Sequence, residues 1–149
     1  MTSSDVSSRE SSQLAVASAT HGPWRSAGAI GIVGGGAALG IDLITGHWSL
    51  SMLAGPASIA LVLFFLIGGV GAVVSKGSER RLRRWTQEHP WQTAAVPAVG
   101  LAVTNTLTQF FLSSSGVFAS IFTGLWHAAI VGAIIGVVGS VAATRRSNR

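Results

Sequence analysis

From Ser26 to Ser75 the chain carries one charged residue, Asp42, and from Trp91 to Thr144 it carries none. Within the second stretch stands one titratable side chain, His127. Ionisable groups inside long apolar runs are functional candidates, because embedding them in hydrocarbon is costly. Asp42 lies 17 residues after Arg25, or about 26 Å along a helix, close to the far end of a membrane crossing. There it is either an end-of-helix carboxylate reaching headgroups or His47, or a cation or proton site open to the outer face. His127 lies ten residues beyond Val117, about 15 Å along a helix and near mid-membrane. In the preceding run Asn105, Thr108 and Gln109 share one helical face by their i, i+3 and i+4 spacing, and Asn105 reaches a depth comparable to that of His127. One reading makes these residues hydrogen-bond glue between helices, each bond contributing about 0.6 kcal/mol. The other makes them a polar pathway with His127 as its titratable element.

Other chemistry finds no support. The chain has no cysteine, which excludes disulfides, thiolate metal sites and thiol catalysis. His21, His47, His89 and His127 are scattered, with no pair at metal-ligand spacing. Glu79 and Glu88 have no partner for nucleophilic or acid–base work nearby, and the glycines form no phosphate loop between strand and helix. No catalytic, cofactor-binding or metal site is expected, and the chain does not read as an enzyme.

The elements that carry these residues follow from composition. Apolar residues make up 48% and charged residues 10% of 149, and the mean hydropathy is +0.53. Soluble domains carry about 25% charged residues, so this chain lacks the polar surface to cover a globule in water. A helix crosses the hydrocarbon core with roughly 20 apolar residues. The stretch 91–144 is too long for one span and fits two, joined at Ser113-Ser114-Ser115-Gly116. The expected fold is an all-α membrane protein with four transmembrane helices in two hairpins. The spans fall at about 26–44, 49–75, 92–112 and 117–144. The second is entered near Ser49 and bent at Gly55-Pro56, and Pro97 introduces a kink in the third. Residues 1–23, rich in Ser and Thr, read as a flexible tail. Ala15–Ala19 resembles a signal-peptidase site, but no apolar core precedes it, so a cleaved signal is not expected.

Charge placement sets the expected orientation. The net charge is +5 and the pI near 11.7, yet the basic residues flank the apolar runs and do not form a nucleic-acid surface. Arg9 and Arg25 precede the first span, Lys76, Arg80, Arg81, Arg83 and Arg84 occupy the loop 76–91, and Arg145, Arg146 and Arg149 close the chain. Basic residues near span ends favour the cytoplasm. All three groups share one side when an even number of spans separates each pair, which two hairpins satisfy, and this places both termini inside. Nine Arg against one Lys suggests a GC-rich bacterial genome, and with it an inner membrane. Trp24, Trp48, Trp85 and Trp91 fall at span ends, as interfacial anchors do. The basic loop is also an expected contact for anionic lipid headgroups, about 1 kcal/mol per residue.

Small residues recur at helical spacing. Gly124, Ala128, Gly132, Gly136, Ser140 and Thr144 form a ridge in the fourth span. The first carries Ala27, Gly31 and Gly35 together with Gly36 and Gly40, and the third carries Ala94, Ala98, Ala102 and Thr106. Helices in lipid associate through the close approach that such residues permit. Spans one and four are the expected contact-makers, and the number of ridges points to a homo-oligomer or to docking on a larger membrane complex.

Two functions remain. The first is a non-catalytic accessory or structural subunit that packs against itself or a larger complex. The second is a small oligomeric transporter, channel or flippase component for a lipid-linked substrate. The run Gly31-Ile-Val-Gly-Gly-Gly-Ala-Ala-Leu-Gly-Ile-Asp42 resembles the opening helix of GtrA-like proteins, four-span chains implicated in moving polyprenyl-linked sugars. That resemblance implies the second function. The aromatic–Asn–Arg signatures that close the hairpins in that family are missing after Ser75 and near Arg145. Small multidrug exporters also have four spans, but their membrane-centred Glu in the first helix has no counterpart here.

Overall fold

The structure, a computed structural model, describes residues 3–20, 22–46, 49–74, 85–86, 88–114 and 116–147. Among these residues the fold is helical, without strands. Helix α1 is Ser3–Thr20, α2 is Trp24–Ile44, and a 3-10 turn at Leu50–Leu53 leads into α3, Ala54–Val74. Helix α4 is Pro90–Leu112 and α5 is Val117–Ser147. Helices α2 to α5 are each long and apolar enough to cross a membrane. A helix suits that medium because it satisfies every backbone donor and acceptor within itself.

The helix ends carry local stop signals. At the end of α2, Thr45 turns its amide and hydroxyl back on the Ile41 carbonyl. Gly46 then takes φ +81°, a left-handed conformation that glycine adopts without steric cost. Pro90 opens α4 at its first position, where the missing amide hydrogen costs nothing. Pro97 lies within α4, which nevertheless runs through it as one helix.

Packing is built around α3. Helix α2 lies antiparallel on α3, with Gly31 against Ala60 and Gly35 against Ala60 and Pro56. Helix α5 lies antiparallel on α4, and both also pack on α3. The core of this trio is Val73, Ala94, Leu101, Val131 and Ile135, flanked by the partly buried Leu61, Val62, Phe65, Leu66 and Val70. At Gly69 the three helices meet, with Ile135 and Pro97 both seated over the missing side chain.

Most of the apolar surface points outward. Between 17% and 28% of each span's most apolar stretch is buried within the protein, and Phe118, Ile44, Ile32 and Phe111 are 75–90% exposed. Apolar patches of that extent mark contact with membrane or protein, since water does not tolerate them. The four spans are those of a multi-pass membrane protein.

The segment read from composition as a flexible tail contains α1, a helix packed on α4 and α3. Two of its small apolar residues are well placed: Ala15 and Ala19, one turn apart, are buried. Trp24, expected as a headgroup anchor, is the joint that holds this arrangement. Its indole lies over Gly68 of α3, 5.1 Å from the Phe64 ring and 6.2 Å from Phe65. Its Nε1 donates to the Ala19 carbonyl at 2.9 Å. A low average hydrophobicity does not prevent ordering where a formed helical surface already receives two alanines.

Candidate functional site

Thr93, Pro97, Leu101 and Asn105 are buried at intervals of four, so one stripe of α4 faces the interior, and Gln109 continues it. Asn105 is fully buried, and an amide there needs partners on neighbouring helices. It has them. The Ser58 hydroxyl of α3 donates to Asn105 Oδ1 at 2.6 Å, and Gln109 Nε2 donates to Ser58 Oγ at 2.8 Å. On the other side Asn105 Nδ2 lies 3.2 Å from His127 Nδ1 of α5. The same His127 nitrogen lies 2.8 Å from the carbonyl oxygen of Thr123, one turn earlier in α5. Four side chains from three helices thus form one chain of hydrogen bonds.

Asn105, Gln109 and His127 come together as members of this cluster. Thr108 does not join them: its hydroxyl donates to the Thr104 carbonyl of its own helix at 2.9 Å. Asp42 is partly exposed near the C-terminal end of α2 and contributes nothing to the cluster. Thr45 Oγ1 donates to its backbone carbonyl. Ser58 completes the cluster and was not foreseen. The signal was present, because Ser58 is the sole polar side chain in the 21 residues of α3.

The small residues divide into two sets. Along α5, Gly124 receives Thr106 and the Ala102 carbonyl, Gly132 faces Ala98, and Gly136 lies under the Trp91 ring. A Cβ at Gly132 would meet that of Ala98 at 3.1 Å, and one at Gly136 would meet the indole at 2.5 Å. Ala128 is buried in the same seam, and Ser140 returns its hydroxyl to the Gly136 carbonyl. The ridges of α4 and α5 therefore face each other. On α2, Gly31 and Gly35 are consumed by α3, where a Cβ would approach the carbonyl oxygens of Ala60 and Pro56 at 2.7 and 2.9 Å. Gly36 and Gly40 differ: a Cβ at either meets nothing within 4 Å. Of spans one and four, expected as the contact-makers, the fourth packs extensively on α4 and the first packs on α3, while α3 touches all three other spans.

No cluster of three or more His, Asp or Glu able to hold a metal occurs among the described residues. Lys76, Arg80, Arg81, Arg83 and Arg84, read as topology or lipid contacts, lie outside the described residues. Comparison with protein-family models, with curated proteins and with solved structures finds no match for the chain.

Proposed function

We propose that this chain is a non-catalytic accessory or structural membrane protein, acting by helix packing against a second copy of itself or a larger membrane complex. Its setting in this reading is a bacterial inner membrane, crossed by two hairpins with both termini and the basic loop 76–91 in the cytoplasm. The loop then meets anionic headgroups, and no cofactor, metal or nucleic acid takes part. The observation that carries the proposal is the division of the small residues. The α4–α5 ridges are filled by each other, whereas Gly36 and Gly40 present an uncovered groove one turn long on the outer face of α2. In lipid, helices associate where small residues let backbones approach, and Gly36 and Gly40 form a small-xxx-small face left without an internal neighbour. Replacing Gly36 and Gly40 with Leu is expected to abolish co-purification of differently tagged copies, or of a native partner, while the monomer still folds. Retention of every association by the double variant would refute this use of α2.

A second reading rests on the Ser58–Asn105–Gln109–His127 chain. A small oligomeric transporter, channel or flippase component would use such a polar string between α3, α4 and α5 as part of its path. In that case His127→Ala or Asn105→Leu removes a cellular transport phenotype without changing protein abundance. Asp42→Asn is the matching test of an outer-face cation or proton site. The packing reading expects none of the three to act beyond its effect on stability.

A further inference from the structure

One nitrogen, His127 Nδ1, is within hydrogen-bond distance of two groups that ask opposite things of it. The Thr123 carbonyl oxygen at 2.8 Å can only accept, so it favours a proton on Nδ1. Asn105 Nδ2 at 3.2 Å can only donate, so it requires Nδ1 to be bare. Both demands cannot be met by one state of the ring with Asn105 as it stands. Asn105 has a second way to fill its site: turning over its side-chain amide exchanges Oδ1 and Nδ2 with almost no change of shape.

We propose that His127 is a proton-binding site whose occupancy sets the direction of the hydrogen-bond chain across α3, α4 and α5. With Nδ1 bare, the chain runs from Gln109 Nε2 to Ser58 Oγ, from the Ser58 hydroxyl to Asn105 Oδ1, and from Asn105 Nδ2 to His127. When the ring takes a proton from water it gains one N–H bond and one positive charge, and both ring nitrogens become donors. Nδ1–H then donates to the Thr123 carbonyl, and Asn105 turns over to present Oδ1 to the same hydrogen. Its Nδ2 now donates to Ser58 Oγ, which already accepts from Gln109, so the Ser58 hydroxyl hydrogen leaves Asn105. One proton at α5 is thereby read on α3, through a residue of α4.

The surroundings isolate this switch. Helices α3 and α4, which pack against α5, contain no Asp, Glu, Lys, Arg or second His. The nearest charged residue along α5 is Arg145, 18 residues on, about 27 Å of helix. His127 is partly exposed, so the ring is not sealed inside the three-helix core. The inference stands independently of assembly through α2.

The test is nitrogen NMR of the full chain in lipid nanodiscs, compared between the acid and alkaline ends of the range in which the chain stays folded. Replacing His21, His47 and His89 with Gln leaves His127 as the sole imidazole, and the unaltered chain labelled at histidine is the control for folding. The expected result at the alkaline end is a bare, pyridine-type Nδ1 with the Asn105 amide protons close to the imidazole. At the acid end Nδ1 carries hydrogen, and the Asn105 amide protons shift their cross-peaks from the His127 ring to the Ser58 methylene. The chain has only two asparagines, Asn105 and Asn148, so the amide is assigned with Asn105→Leu. A ring protonated at Nδ1 throughout, a ring that does not titrate in this range, or Asn105 cross-peaks that stay fixed while it titrates would each overturn the proposal.

Discussion

Removing the Asn105 amide as Asn105→Leu would leave Ser58, Gln109 and His127 around a side chain that can answer none of them. Interhelical hydrogen bonds in membranes average about 0.6 kcal/mol, and buried polar groups left unpaired cost about 1–3 kcal/mol. The variant is therefore expected to lose about 1–2 kcal/mol of stability, read by denaturant titration in mild detergent. Thr108→Val removes a hydroxyl that serves only its own helix and should change stability by less than about 0.5 kcal/mol. Equal losses in the two variants would contradict the cluster's geometry. Spacing in the sequence put Asn105, Thr108 and Gln109 on one face, but a face is about a third of a helix, and only a narrower stripe turns inward. That stripe runs Thr93, Pro97, Leu101, Asn105, which retains Gln109 and excludes Thr108. Depth along the span brought His127 level with Asn105, whereas Asp42, at a helix end, had no such counterpart.

At the scale of helices, the two kinds of glycine should respond differently to the same change. Gly124→Leu and Gly136→Leu push a side chain into Thr106 and into the Trp91 ring. Overpacking of that kind costs about 1–3 kcal/mol per site, so both variants should unfold at lower denaturant. Gly36→Leu and Gly40→Leu meet open space and should leave monomer stability unchanged. Trp24→Ala removes the indole that caps Ala19 and covers Gly68. The expected outcome is faster amide hydrogen exchange throughout α1, with α3 to α5 unaltered. Protection in α1 that survives the substitution would show that Ala15 and Ala19 hold it alone. The small-residue ridges were legible as places of close packing. Which helix each ridge meets was not, because glycine spacing records how near a neighbour comes and not which neighbour it is. In the same way, a Ser-rich composition hides α1, whose order depends on surfaces supplied by α3 and α4.

The whole molecule is explained by its solvent. Four apolar helices with much of their surface turned outward were readable from charge-free runs alone, since few soluble folds avoid charge for so long. Sidedness rests on a different signal, the basic residues at span ends. Reporters fused after Arg149 and within 76–91 should both be active only in the cytoplasm, and activity of either on the exterior would reverse the orientation. Assembly is the central claim, and the absence of cysteine makes it directly measurable. Single cysteines at Gly36 and Gly40 on the outer face of α2, and at Val137 on the exposed face of α5, would be oxidised in native membranes. The account predicts covalent dimers, or adducts to one partner, from Gly36→Cys and Gly40→Cys but not from Val137→Cys. Monomer alone from both α2 positions, or equal crosslinking from α5, would contradict it.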